Sequence, residues 1–94
     1  MGIKTAQVQV EFFVIKEGDI FAAYCPSLNL ATQGDTYDEA CKAFQEALEI
    51  FIEEVVKSGT LDAVLQEHGW RKIDKKWVVP TVVGSATTNV AIPA

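Results

Sequence analysis

The sequence is poor in the residues from which catalytic and metal sites are built. Its 94 residues include two cysteines and one histidine, and Cys25, Cys41 and His68 are too scattered to supply the clustered ligands of a metal site. The sequence contains neither a glycine-rich phosphate-binding motif nor the G-x-S-x-G motif of a nucleophile elbow. We therefore expect a non-catalytic protein that uses no metal and no cofactor.

Cysteines and long apolar runs are also few. Two cysteines do not make a disulfide framework, so both are expected to be thiols, with Cys41 either a packing residue or a reactive thiol near a helix start. No apolar run approaches the ~20 residues that span a bilayer. The first ten residues, MGIKTAQVQV, lack the apolar core and cleavage site of a signal peptide, which favours a cytoplasmic protein without a membrane partner.

Positive charge is scarce as well, since 8 Lys and Arg face 13 Asp and Glu, for a net charge of −5. Residues 35–67 carry nine acids and two bases, and residues 78–94 carry no charged side chain. Nucleic-acid binding depends on neutralisation of phosphates by Lys and Arg. The acidic segment therefore favours a basic protein as partner, and the short basic run Arg71, Lys72, Lys75 and Lys76 is expected to be a solvated surface.

The first third of the chain predicts three strands. TAQVQVEFFVI, from Thr5 to Ile15, alternates apolar and polar residues as a half-buried strand does, and the alternation breaks at Phe12–Phe13, where a bulge or burial on both faces would fit. The run KEGD predicts a hairpin turn, IFAAYC from Ile20 to Cys25 a second strand, and LNLATQ from Leu28 to Gln33 a third. Short connections between them predict an antiparallel meander.

A capping box predicts the start of a long helix. The Thr36 hydroxyl is placed to accept from the Glu39 amide, while the Glu39 side chain is expected to reach back to Thr36. The helix is predicted from Tyr37 to about Ser58, with Gly59 as the residue that ends it. Its apolar stripe comprises Ala40, Ala43, Phe44, Ala47, Leu48, Phe51, Ile52 and Val55.

The remaining residues predict smaller elements. A short helix is expected from Leu61 to His68, with Thr60 as N-cap and Gly69 as its end, followed by a strand or hairpin over residues 70–79 that turns near Asp74–Lys75. The uncharged tail, residues 80–94, is rich in Val and Thr and predicts a strand that pairs either within the fold or with another protomer. We expect a single domain over residues 1–94, with a core at about 5–79 and α+β order β-β-β-α-α-β.

Four short motifs together resemble the N-terminal domain of HicB-type antitoxins. They are Tyr24 to Leu28 (YCPSL), Thr32 to Thr36 (TQGDT), Glu39–Ala40 and Glu46 to Leu48 (EAL), and the similarity covers roughly residues 8–58. In that family a strand that ends in a proline-containing run leads to a glycine–acid–threonine turn, which opens a helix with repeated Glu-Ala pairs. The residues that match this pattern are Pro26, Gly34, Asp35, Thr36, Glu39 and Ala40.

The resemblance implies a partial ribonuclease-H-like fold without the nuclease chemistry. Such a domain belongs to a type II toxin–antitoxin system and neutralises HicA, a small basic toxin that cleaves messenger RNA; family members commonly form dimers or larger assemblies. The family also has a C-terminal DNA-binding domain. The 25 residues after Gly69 contain no basic amphipathic helix pair, so this chain is expected to be a short form without that domain.

The candidate partner-binding residues are the acids on the outer face of the long helix, Glu46, Glu49, Glu53 and Glu54. The alternative is that this face is only a solvated exterior. Two other functions stay open. One is a solitary HicB-like homo-oligomer, structural or regulatory, with the tail as strand donor, and the other is a residual ribonuclease-H-like nuclease with Glu11 as its only acid on the first strand.

Overall fold

A computed structural model describes residues 6–93 and has the predicted α+β order. A three-stranded sheet is followed by a long helix, a short helix and a two-stranded hairpin. The elements are β1 (Phe13–Glu17), β2 (Ile20–Cys25), β3 (Leu30–Gly34), α1 (Tyr37–Lys57), α2 (Leu61–Glu67), β4 (Arg71–Ile73) and β5 (Lys76–Val78). The β-β-β-α-α-β arrangement predicted from the sequence is confirmed.

The first three strands form an antiparallel meander in the order β1-β2-β3. The β1–β2 hairpin closes with the two-residue turn Gly18–Asp19, since Glu17 is paired with Ile20. Gly18 has a φ of +61°, a conformation that glycine adopts without the steric cost of a Cβ. The turn chemistry of the sequence therefore fixes the register of this hairpin.

The prediction for the first strand was partly wrong. The strand begins at Phe13, and residues 6–12 lie outside it, while Thr5 lies outside the described residues. The expected break at Phe12–Phe13 does not occur, because Val10, Phe12 and Val14 all pack against the core while Phe13 stays exposed. The Phe12 ring stacks on Phe44 with centroids 4.4 Å apart, and Phe13 points to the opposite face of the sheet, as successive strand residues do.

The third strand also begins later than predicted. The segment from Pro26 to Asn29 forms a turn, in which Asn29 has a φ of 51° and the Leu28 amide donates to the Cys25 carbonyl. Leu28 is therefore a buried residue of the turn, not a strand residue. A side chain that enters the core from a turn has the same apolar character as one that enters from a strand, so composition alone does not separate the two.

Helix α1 has the predicted caps, with one difference. The Glu39 amide donates to Thr36 Oγ1 at 3.1 Å, but Glu39 Oε2 accepts from the Asp35 amide at 3.1 Å instead of from Thr36. Ser58 is the C-cap residue, and Gly59 follows it with a φ of +73°. Every residue of the predicted apolar stripe is buried or half-buried, so the helix lies on the sheet as its periodicity indicates.

The core lies between α1, the inner face of the sheet and the start of the hairpin. Its buried residues are Ala23, Cys25, Leu28, Ala40, Phe44, Leu65 and Trp70. Thr32 Oγ1 donates to the Ala40 carbonyl at 3.2 Å, which joins β3 to the first turn of α1. Trp70 Nε1 donates to the Ser27 carbonyl at 2.7 Å, which joins the hairpin to the turn after β2.

The C-terminal part consists of a short helix, a hairpin and an extended segment. Helix α2 ends one residue before the predicted His68, which is its C-cap. The hairpin turns at Asp74–Lys75, both with positive φ, as predicted. Residues 79–93 contain no helix or strand. Within residues 6–93, no helix is both long enough and apolar enough to cross a membrane.

Candidate protein-binding site

The four predicted partner-binding acids are all exposed on α1. Glu46, Glu49 and Glu53 follow one another at steps of three and four residues, so they form one row along the helix. Glu54 lies beside that row. Because the apolar stripe holds the opposite side of α1 against the sheet, the packing of the helix fixes these carboxylates towards solvent.

The carboxylates on this face have no ion-pair partner in the described part of the chain. The salt bridge found among residues 6–93 joins Lys72 to Asp62 at 3.3 Å. Lys57 lies one helical turn after Glu53, a spacing that permits an ion pair, but the two charged groups are not within 4.0 Å of each other. The negative charge of the face is therefore left to act on whatever approaches it.

An exposed isoleucine lies in the middle of this acidic face. Ile50 is 59% exposed and lies one helical turn from Glu46 on one side and from Glu53 and Glu54 on the other. A shallow depression of about 370 Å³ is lined by Ile50, Glu53, Glu54, Lys57 and Ser58. We define the acidic helix face as Glu46, Glu49, Ile50, Glu53 and Glu54.

The sequence analysis missed Ile50, although a signal was present. Ile50 belongs neither to the apolar stripe nor to the charged set, and its apolar side chain interrupts an otherwise polar helix face. Isolated exposed apolar residues are common. Its position between three carboxylates, Glu46, Glu53 and Glu54, distinguishes Ile50 from the other exposed apolar residues of α1.

A larger apolar groove borders the same face. It has a volume of about 600 Å³, and Glu49 and Glu53 lie at its rim. Its apolar lining includes Val8, Val10, Leu48, Ile52, Leu61 and Trp77. The fold thus places two of the four predicted acids between the groove and Ile50, an arrangement suited to a partner with an apolar segment flanked by basic residues.

Glu11, the acid of the nuclease alternative, has a structural contact instead. Its Oε1 accepts from the Val82 amide at 3.1 Å, beside a small cleft of about 110 Å³ that also contains His68. Across residues 6–93, no three His, Cys, Asp or Glu side chains lie close enough together to hold a metal ion. In this structure Glu11 fixes the start of the C-terminal segment.

The two cysteines are free thiols, as predicted. Cys25 is buried with its Sγ 3.3 Å from Ser27 Oγ, and Cys41 is half-buried on α1. The basic residues of the hairpin are exposed, and Lys72 Nζ lies 5.3 Å from the centroid of the Trp77 ring. None of these residues joins the acidic helix face.

The motif residues have local structural roles. Pro26 opens the turn between β2 and β3, and Gly34 ends β3 against the first turn of α1. The other four lie at the β3–α1 junction, where they cap or begin the helix: Asp35, Thr36, Glu39 and Ala40.

Comparison of the chain with protein-family models, with curated proteins and with solved structures found no match.

Proposed function

We propose that this chain is an antitoxin-like protein-binding module of a type II toxin–antitoxin system, which neutralises a small basic HicA-type toxin that cleaves messenger RNA. The observation that carries the proposal is the acidic helix face, where carboxylates that have no ion-pair partner among residues 6–93 surround an exposed isoleucine and border an apolar groove. The motif resemblance to HicB-type antitoxins supplies the class of partner.

The chemistry of the face suits a basic partner. A cluster of exposed carboxylates attracts a positively charged protein over a distance of about one Debye length, ~8 Å at physiological salt, and raises its association rate. Ile50 and the groove then supply apolar area, which holds the complex together once water is excluded. Charge would set the orientation of the complex, and apolar contact would set its lifetime.

The same chemistry accounts for neutralisation. A toxin that cleaves RNA needs Lys and Arg to hold the phosphates, and a row of carboxylates competes for those same side chains. Contact with the acidic helix face would therefore exclude RNA without any reaction catalysed by this chain. Because messenger RNA is the target of such a toxin, we place the protein in the cytoplasm.

The experiment starts with a partner and ends with matched variants. Tagged protein is recovered from lysate of its own cells, and a small basic protein that elutes with it at near-equal stoichiometry is purified. Three forms of the chain are then compared: the unmodified chain, the variant Glu49→Lys with Glu53→Lys, and the control Glu17→Lys with Asp19→Lys. For each form, the affinity for the purified partner and the RNA cleavage by that partner in its presence are measured. The control makes the same change of charge at the exposed end of β1 and in the turn that follows it.

We expect the affinity of the unmodified chain to fall as salt is raised. Reversal of the charges of Glu49 and Glu53 should weaken binding at least ~10-fold, because like charges then repel each other at the interface. The same variant should no longer inhibit RNA cleavage by the partner. The control should bind normally. Equal affinity for all three proteins would show that the face is only a solvated exterior, and the proposal would be wrong.

A second candidate is a solitary HicB-like homo-oligomer with a structural or regulatory role. The observation that favours it is the uncharged C-terminal tail, which is exposed along its length. If the lysate experiment recovers the chain only with itself, this candidate replaces the first. No described feature favours the nuclease alternative.

A further inference from the structure

The sheet has an apolar face that α1 does not cover. Paired residues of neighbouring antiparallel strands point to the same side, and the row Val14, Ala23 and Thr32 faces α1, with Ala23 fully buried. The rows that alternate with it point away from the helix. We define the outer sheet face by the apolar residues of those rows: Phe13, Ile15, Ile20, Ala22, Tyr24 and Ala31.

This face departs from the usual pattern of a sheet in water. An antiparallel sheet with one free face normally carries polar residues there, whereas three large apolar side chains of the outer sheet face, Phe13, Ile15 and Ile20, are 41%, 51% and 43% exposed. Contiguous exposed apolar residues of this kind are a candidate contact surface. The outer sheet face is therefore available to another apolar segment.

The C-terminal tail is also apolar and exposed. We define the tail as residues 81–92, which lie between Pro80 and Pro93 and contain neither charge nor proline (TVVGSATTNVAI). Val83, Val90 and Ile92 are 97%, 76% and 75% exposed. As an extended segment the tail would place Val82, Ala86, Val90 and Ile92 on one side, which gives it an apolar side along most of its length.

The tail runs away from its own domain. The radius of gyration is 16.3 Å and the longest axis is 60 Å, whereas a compact chain of this length has a radius of gyration of ~12 Å. None of the described residues of the tail, Gly84 included, has a positive φ, and no turn is found there. The tail therefore extends without reversing towards the sheet of its own copy.

The start of the tail is fixed beside the start of β1. The Val82 amide donates to Glu11, which comes just before β1. Glu11 is two residues from Phe13, which belongs to the outer sheet face, so the tail leaves the domain near the β1 edge of that face. A second copy that approached the outer sheet face would meet the tail as it leaves the domain.

We propose that the chain forms a two-fold symmetric dimer in which the tail of each copy lies across the outer sheet face of the other. Every copy carries one uncovered apolar sheet face and one uncharged tail, so a reciprocal exchange uses both and forms a closed assembly. The tail adds no charge to such a contact, and the outward rows of the sheet carry one, Glu17, which lies beside Ile20 at the turn end of the face.

The area of contact favours the exchange over simple packing of two sheets. The three strands, of five or six residues each, cover roughly 240 Å² in projection, well below the ~800 Å² per partner of a stable complex. A twelve-residue extended tail has ~1,600 Å² of accessible surface, so burial of about half of it supplies the missing area. The tail is thus the part that makes a stable dimer possible.

The test measures the mass and association constant of the full chain in solution by light scattering and sedimentation. We expect a dimer of twice the 10.3-kDa chain mass. Ile15→Lys, and separately Val90→Asp with Ile92→Asp, should each lower the association constant by roughly 100-fold or more, because a charge would be buried without a partner. Ile50→Lys is the matched control, an exposed isoleucine on the acidic helix face, and should remain a dimer.

Mixing two defective chains shows where each tail binds. The Ile15→Lys chain keeps its tail, and the Val90→Asp, Ile92→Asp chain keeps its outer sheet face, so the mixture should form a heterodimer that neither forms alone. Circular dichroism checks that each variant is folded, and Ile20→Lys replaces Ile15→Lys if that chain is not. A monomeric unmodified chain, or a dimer that persists in either variant, would overturn the proposal.

Discussion

At the scale of single residues, Gly34 shows how closely the chain approaches itself. A Cβ on Gly34 would lie 2.5 Å from the Ala40 amide nitrogen and 2.8 Å from Glu39, closer than atoms in real structures approach. Here glycine is required by space and not by backbone conformation, since the φ of Gly34 is not positive. The residue allows β3 to pass directly beneath the first turn of α1.

We expect Gly34→Ala to lower the free energy of unfolding by about 2–3 kcal/mol, because backbone atoms must move to admit the methyl group. Urea denaturation measures the change. Gln45→Ala is the control, since Gln45 is exposed on α1 and belongs to neither proposed surface, and it should change stability by no more than ~0.5 kcal/mol. Equal effects of the two substitutions would contradict this account.

At the scale of elements, the two helices begin differently although both follow a threonine. Thr36 accepts a hydrogen bond from the Glu39 amide, and Asp38 and Glu39 provide negative charge in the first turn of α1, which the helix dipole favours. Thr60 makes no side-chain cap bond to α2, and its hydroxyl lies 2.7 Å from that of Ser58 instead. Helix α1 is thus capped by its sequence, whereas α2 depends on packing through Leu65.

Thr36→Ala should therefore cost about 1 kcal/mol of stability, the usual effect of removing an N-cap side chain. The parallel substitution Thr60→Ala should cost only a few tenths of a kcal/mol, within the range of surface substitutions. Thermal and urea unfolding of both variants measure the difference. A larger effect at Thr60 would mean that the cap of α2 matters more than its hydrogen bonds indicate.

At the scale of the whole molecule, the two proposed surfaces lie on opposite sides of the domain. Helix α1 covers the inner side of the sheet, its acidic face points away from the sheet, and the outer sheet face lies on the far side. A dimer formed through tails and outer sheet faces would leave both acidic helix faces accessible. Such a dimer would present two partner-binding faces.

We therefore expect the two functions to respond independently to mutation. Ile15→Lys should abolish the dimer and leave the affinity of a single chain for a basic partner within about twofold, since distant sites add nearly independently. Glu49→Lys with Glu53→Lys should weaken partner binding and leave the dimer mass unchanged. Sedimentation and binding measurements on the same samples test both halves, and a variant that impaired both properties would show that the surfaces are coupled.

Local patterns in the sequence were sufficient to predict much of the fold. The apolar stripe and caps of α1, the β1–β2 turn at Gly18 and the hairpin turn at Asp74–Lys75 all depend on residues within a few positions of one another. Hydrogen bonds and side-chain spacing at that range are properties of the local chain. For the same reason the exposure of Glu46, Glu49, Glu53 and Glu54 followed from the helix period alone.

Only the tertiary structure decided the rest. It placed the first residue of β1 at Phe13 and Leu28 in a turn, brought Glu49 and Glu53 to the rim of the apolar groove, and joined Trp70 to Ser27 across 43 positions. It also left the outer sheet face and the tail exposed on the same chain. These features depend on contacts between segments that are distant in the sequence. The geometry of those contacts is set only when the whole core packs, and no local period or helix cap encodes that geometry.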